Sequence, residues 1–232
     1  MSNAITTSFK ITCNGTTKDS LTDYEWALNN PSDCIGEPVK QTSIVTVPFG
    51  KTYDLADEML GYPWFISRPL TLKLGYKIDL SNTNHRDYIS NLRNLYEGQS
   101  VQIIFDGDYY TWIGKAFIKN ATAKRGLGEF DLVVETKGYK EMTAPYGYTI
   151  VGAGTETSRT FTLDSPYPCP IKFTGTINAS TTFTANGETV TLAAGTYTEE
   201  ELIGLYAWNN TTLTMAGSWN LPITIDLYRR SL

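Results

Sequence analysis

The stretch Arg68-Pro69-Leu70-Thr71-Leu72-Lys73-Leu74-Gly75-Tyr76-Lys77 decides how the rest of the chain is read. Leu70, Leu72, Leu74 and Tyr76 fall on one face of an extended backbone, and Thr71, Lys73 and Gly75 on the other. A period of two marks a strand buried on one side. Working outward, the same signature recurs. Phe9-Lys10-Ile11-Thr12-Cys13 alternates and runs into Asn14-Gly15, a dipeptide that supplies the positive φ angles of a tight hairpin. Ser43–Val47 reads as a strand stopped by Pro48. Val101–Phe105 and Tyr109–Ile113 flank the turn Asp106-Gly107-Asp108, and Ala116–Thr122 and Glu129–Thr136 flank Arg125-Gly126-Leu127-Gly128.

One segment departs from this pattern. Between His85 and Glu97, Tyr88, Leu92, Leu95 and Tyr96 recur at offsets of three and four, with Ile89 beside them. That spacing predicts one amphipathic helix, capped at its start by Ser81, Asn82 or Asn84 and stopped by Gly98. The first part is therefore expected to be α+β, antiparallel sheets with one helix. Gly138, Pro145, Gly147, Gly152 and Gly154 then punctuate residues 137–158, which read as a linker. The expected domains are residues 1–148 and 149–232. Beyond the linker short strands recur at 158–163, 170–175, 181–185, 188–192, 211–215 and 223–228, with Asn186-Gly187 as a hairpin turn and a single helical turn expected at Glu199–Tyr206. That part reads as a β-sandwich. The whole chain is expected to be mainly β.

Composition narrows function. The 232 residues carry a net charge of −5, with 41% hydrophobic and 19% charged residues, enough for a packed core and too few charges for a disordered chain. A pI near 5.0 argues against nucleic-acid binding, which needs a basic face to neutralise phosphates. A single histidine, His85, precludes a metal site with two imidazoles in one chain. Cys13, Cys34 and Cys169 are an odd, widely spaced set, read as free thiols, with a Cys13–Cys34 pair as the alternative. No stretch reaches the ~20 apolar residues of a membrane-spanning helix, and the first residues lack the regions of a secretion signal.

The chemistry search finds turns and solvated faces. Asp106-Gly107-Asp108 lacks the further ligands of a calcium loop. Glu199-Glu200-Glu201 is read as a solvated helix start. Gly126-Leu127-Gly128 joins two strands instead of opening a phosphate-binding helix. His85 has no nucleophile elbow to serve. No catalytic residue, cofactor or metal is expected. The aromatics remain: Tyr62, Trp64 and Phe65 in the first part, and Tyr197, Tyr206, Trp208 and Trp219 in the second, read either as core or as the lining of a sugar groove or subunit interface.

The order of these elements resembles the distal tail proteins of long-tailed phages and prophages of Gram-positive hosts. The resemblance spans nearly the whole chain. It rests on the strand into a turn at Phe9–Gly15, on Thr46-Val47-Pro48-Phe49-Gly50-Lys51 followed by Tyr53-Asp54-Leu55, and on Arg68–Leu74. It continues through the helix ending Leu95-Tyr96-Glu97-Gly98, the Phe105–Gly114 hairpin, Phe130–Glu135 with Tyr139-Lys140, and the closing Ile223–Arg230. Ile113-Gly114-Lys115 and Gly138-Tyr139 depart from the family's pattern, which has an Arg after that glycine and an Asp-Pro after the sheet. The resemblance implies a first domain that assembles into a six-membered ring and a second, galectin-like sandwich projecting outward. It implies a structural virion protein of the tail tip or baseplate, made in the bacterial host cytoplasm and not an enzyme. The expected partners are further copies of itself, the tail tube protein, a tail-associated tip protein and a receptor-binding protein; neither sequence-specific nucleic acid nor a membrane is expected. Tyr53, Tyr62, Trp64 and Phe65 are then expected at the subunit interface. The alternative is a carbohydrate-binding module of the tail tip that recognises cell-wall saccharide through Trp208, Asn209 and Trp219.

Overall fold

In the computed structural model the chain divides into two compact units, residues 1–140 with Leu232, and 141–231. The structure describes residues 8–40, 42, 44–46, 52–54, 65–78, 84–124 and 126–232. The chain is mainly β, with antiparallel sheets and, among the described residues, one helix.

The first unit begins with β1 (Phe9–Cys13) and β2 (Thr16–Asp19), joined at Asn14 and Gly15, whose φ angles of 49° and 76° are those of a tight hairpin. Two-residue strands β3 (Ala27–Leu28) and β4 (Val39–Lys40) follow. β5 (Ile44–Thr46) and β6 (Thr52–Asp54) pair with each other and, among the described residues, with no other strand. β7 (Phe65–Lys77) carries the alternation read from the sequence, and Leu70, Leu72, Leu74 and Tyr76 are all buried. Helix α1 (His85–Tyr96) starts at Asn84, whose side chain accepts the Arg86 N–H, and ends at Gly98 with φ 71°. β8 (Ser100–Phe105), β9 (Tyr110–Lys124) and β10 (Leu127–Thr136) complete a sheet in the order β2-β1-β8-β9-β10-β7-β3, with β4 also paired to β7.

β9 is one strand where two were expected. Gly114 in its middle is a close approach and not a break: a Cβ there would lie 2.4 Å from the Glu135 carbonyl oxygen of the neighbouring strand. Ile89, Leu92 and Tyr96 press α1 onto the sheet's apolar face. Trp26, fully buried beneath it, stacks on Tyr24 at 4.2 Å and donates its indole N–H to the Tyr88 hydroxyl at 2.8 Å. The segment between β3 and β4 covers the edge of β7. Cys34 and Pro69 carbonyls accept the Thr71 and Gly36 N–H groups, while the Asn30 amide donates to Thr71 O and accepts from Lys73 N. A strand edge that would otherwise template pairing is thereby closed.

β11 (Lys140–Met142) starts on the last residue of the first unit and runs into the second, which also contains β12 (Tyr146–Ile150), β13 (Thr155–Leu163), β14 (Cys169–Ala185), β15 (Glu188–Leu192), β16 (Gly195–Ala207), β17 (Thr211–Leu227) and β18 (Arg230–Ser231). β14 and β17 are 17 residues each and pair along most of their length, with register shifts at Thr174/Thr176, Ile177/Ala179 and Ala179/Thr182. β12 and β13 pair with opposite halves of β17; β16 and β15 pair with opposite halves of β14. Bulges let a long strand bend and serve two layers. Residues from both halves, Ile171 and Phe173 with Phe183, and Met215 with Trp219 and Ile225, fill one core.

Three sequence readings change here. Residues 137–158 hold β11, β12 and the start of β13 instead of an open linker, because β12 is paired residue for residue with Ile223–Leu227. The two units meet after Lys140, ahead of the expected break at 148/149. Glu199–Tyr206 is part of strand β16 and not a helical turn: Leu202 and Leu205 are buried as strand residues, and Glu199 sits at a bulge with φ 50°.

Candidate assembly surfaces

The four residues expected at a subunit interface are placed unevenly. Tyr62 and Trp64 lie outside the described residues, as does the side chain of Tyr53, whose backbone is in β6. Phe65 opens β7, half-buried. Its ring meets the buried Tyr139 edge-on at 5.8 Å, and its N–H reaches the Tyr139 hydroxyl at 3.3 Å. Gly138 lies flat against it, with room for no side chain. Phe65 is thus packed against its own unit.

The three residues proposed for saccharide do not form one platform. Trp219 is fully buried in the core of the second unit. This corrects its reading as a surface contact: it stands in line with Leu213 and Met215 on the inner face of β17, and its apolar area is worth most out of water. Trp208 is half-buried, and its backbone exchanges hydrogen bonds of 2.9 and 2.7 Å with the Thr211 hydroxyl. Asn209 and Asn210, at φ 47° and 62°, form the exposed turn between β16 and β17. Tyr197 packs half-buried with its ring 6.2 Å from Phe173.

Other singled-out groups have structural partners. His85 Nδ1 lies 2.5 Å from the Tyr76 hydroxyl, tying the first turn of α1 to β7. Burial pushes the Tyr76 hydroxyl up to about 12. Asp106-Gly107-Asp108 is a turn, with Gly107 at φ 79° and the Asp108 N–H on Phe105 O at 3.0 Å. Cys13, Cys34 and Cys169 are all free thiols, so the Cys13–Cys34 alternative falls; burial raises all three. Among the described residues no group of three or more His, Cys, Asp or Glu side chains is gathered to hold a metal ion, and no helix is long and apolar enough to cross a membrane.

The sequence missed the most deliberate ionic contact. Arg230, almost fully buried, donates from Nε and Nη2 to one Glu141 carboxylate oxygen at 3.1 and 2.8 Å, and from Nη1 to Pro168 O at 3.0 Å. It joins the last strand of the second unit to its first. Beside it Arg229 lies 4.0 Å from the Tyr146 ring centroid and donates to Asp164 O at 2.9 Å. The basic pair near the C-terminus was visible; its partner, 89 residues away, was not.

No family model matches the sequence, and neither does any curated protein. The structure does find a match. A crystal structure described as SPP1 Dit (gp 19.1), "a paradigm of hub adsorption apparatus in Gram-positive infecting phages", superposes over 97% of this chain and 99% of its own, with a TM-score of 0.62 and 13% sequence identity. The chain has the fold of SPP1 Dit. At that identity side chains are not carried over, but the likeness runs through both units and leaves almost none of either chain unmatched. The SPP1 protein is described as the hub of an adsorption apparatus of phages that infect Gram-positive hosts.

Proposed function

We propose that this chain is a distal tail protein, a structural hub of the tail tip of a phage or prophage of a Gram-positive host. The observation that carries the reading is the end-to-end match to SPP1 Dit across both units. A fold shared over a single domain says little about role. A match over 97% of one chain and 99% of the other preserves the two-part architecture as well. In this role six copies close into a ring beneath the tail tube, and the ring hands on to the tip and receptor-binding proteins. A closed ring uses head-to-tail contacts, so each copy presents two different surfaces. The role is structural and uses no cofactor.

The test is assembly. Native mass measurement over a rising concentration series, with negative-stain imaging, is expected to give six-fold rings, either alone or when tail tube and tip proteins are supplied. A symmetric dimer through the second unit as the only assembly, at high concentration and with those partners present, would sink the proposal. So would cleavage of peptidoglycan or wall polysaccharide by the pure protein that a single acidic substitution abolishes.

A further inference from the structure

The two Asn-Gly hairpins share one backbone and differ in what holds the asparagine. Asn14-Gly15 joins β1 to β2, and Asn186-Gly187 joins β14 to β15; the last ladder pairs are Cys13 with Thr16 and Ala185 with Glu188. The φ angles are 49° and 76° in the first turn, 52° and 83° in the second. All four residues are exposed, and no other asparagine precedes a glycine. Neither glycine N–H donates a backbone hydrogen bond among the described residues. Nothing lies within 4 Å of where a Cβ would stand on Gly15 or Gly187, so both turns are equally uncrowded. The asparagine side chains are not equivalent. Asn186 Nδ2 donates to the Tyr206 carbonyl oxygen of β16 at 3.1 Å. The Asn14 side chain has no hydrogen-bond partner among the described residues.

We infer that Asn14 is a site of spontaneous deamidation, that Asn186 is held back by the Tyr206 carbonyl, and that the charge gained at residue 14 weakens the end of α1. The Gly15 amide nitrogen loses its proton to hydroxide and attacks Asn14 Cγ. The new C–N bond closes a five-membered imide, the Cγ–Nδ2 bond breaks, and ammonia leaves. Water then opens the imide at either carbonyl. Opening at Cγ gives aspartate; opening at the main-chain carbonyl gives isoaspartate, with the chain running through the former side chain. Glycine suits the step because it puts no side chain beside the attacking nitrogen. At Asn186 the leaving amide must first give up its bond to Tyr206, a cost that Asn14 does not meet.

The product carries a carboxylate at an unfavourable place. Cys13, the residue before Asn14, donates its thiol to the Leu95 carbonyl oxygen at 3.6 Å. Leu95 lies in the last turn of α1, whose carbonyls form the negative end of the helix dipole. Isoaspartate adds a carbon to the main chain within a turn whose two residues set the register of β1 on β2.

The experiment follows the full chain at mildly alkaline pH, below its first thermal transition, by peptide mapping with mass detection and enzymatic isoaspartate labelling. Asn14 is expected to convert about fivefold faster than Asn186, the rate equivalent of one ordinary hydrogen bond of about 1 kcal/mol. Peptides covering residues 9–19 and 181–192, which lack the Tyr206 contact, are expected to bring the two rates together. Asn14→Asp, which reproduces one product, is expected to lower the first transition by about 1–3 °C at neutral pH and to recover in acid, where the new carboxyl is neutral. Equal rates in the folded chain, or a faster Asn186, overturn the inference. So does an Asn14 that stays intact in the folded chain while the peptides convert. A rate ratio that is the same in peptides and in the chain overturns the protective role of Tyr206. An Asn14→Asp transition that is not lowered overturns the link to α1.

Discussion

The two units solve the same problem, closing antiparallel sheet around a core, with different devices. The first spreads one face over many strands and covers it with α1 and the Trp26 loop, while the segment between β3 and β4 seals the β7 edge. The second has no helix and relies on β14 and β17, two long strands bent through successive bulges so that their own halves enclose the core. In the first unit the stabilising contacts cross between different kinds of element. In the second nearly everything depends on two strands, so damage there has nowhere to be absorbed. Each core holds a fully buried tryptophan, Trp26 alongside Trp112 in the first unit and Trp219 in the second.

That contrast can be broken at its largest scale by removing those side chains. Trp26→Ala and Trp219→Ala are each expected to cost about 3–5 kcal/mol, the range for a large aromatic lost from a packed core. Calorimetry of the full chain should show two transitions, with Trp26→Ala lowering one and Trp219→Ala the other. A single transition that both variants lower equally would show that the units unfold as one and that the contrast has no energetic content.

Next in size is the ionic lock of the second unit. Arg230→Ala leaves the Glu141 carboxylate without its main partner at a nearly dry site and is expected to cost about 3 kcal/mol, since breaking a buried pair strands a charge. Arg230→Lys is expected to recover only part, because one ammonium cannot reproduce three directed N–H donors. Chemical denaturation of each variant measures both. Full recovery by lysine would reduce the pair to a simple charge.

A local opening sharpens the boundary. Val151-Gly152-Ala153-Gly154 joins β12 to β13, with Val151 80% exposed. Limited proteolysis is expected to cut there first. The clipped chain should stay together under native conditions, because Tyr146–Ile150 remains paired with β17. First cuts within Tyr146–Ile150, or release of the first fragment, would restore the open linker that the sequence suggested.

How much was legible follows from these same places. Strand β7, helix α1 with Asn84 among its three candidate caps, and the hairpins at Asn14-Gly15 and Asn186-Gly187 were readable because each is fixed by residues adjacent in the chain. The errors fall where a long-range contact changes the meaning of a local signal. Gly114 and Gly217 fall between stretches read as separate strands, yet both sit inside long strands where a neighbouring backbone passes too close for a side chain; at Gly217 a Cβ would come within 2.6 Å of the Thr181 Cα. Glu199-Glu200-Glu201 reads as a helix start until Lys172 and Phe173 are seen to pair with it across β14. Trp219 beside the polar Asn220 looked like a surface platform, but period two sends the pair to opposite faces. Lysines 73 and 77 were visible on the polar side of β7; that Lys119 and Lys124 flank them two strands away depends on register, which no local pattern specifies.

The smallest expected effect separates the units by pH. In the first, Asp19 Oδ1 accepts the N–H groups of Leu21 and Thr22 at 2.9 and 3.0 Å. Those backbone donors hold the carboxyl below its ordinary value. A lowered folded-state pKa contributes stability that is present above the ordinary carboxylate range and is lost as pH falls through the lowered value. In the second unit burial, and then the nearby Glu199, raise the Asp226 carboxyl, with Lys172 opposing. A raised pKa has the opposite sign: its contribution is full below the ordinary range and is lost as pH rises through the raised value. Asp19→Asn should therefore weaken the first transition at neutral pH and have little effect in acid. Asp226→Asn should leave the second transition unchanged in acid and raise it slightly at neutral pH, where the wild type holds a charge the fold does not favour. The two variants, followed by the two calorimetric transitions from neutral pH into the carboxylate range, should diverge in opposite directions. If both variants shift their transitions the same way at neutral pH, the environments of the two carboxylates do not differ as the packing around them requires.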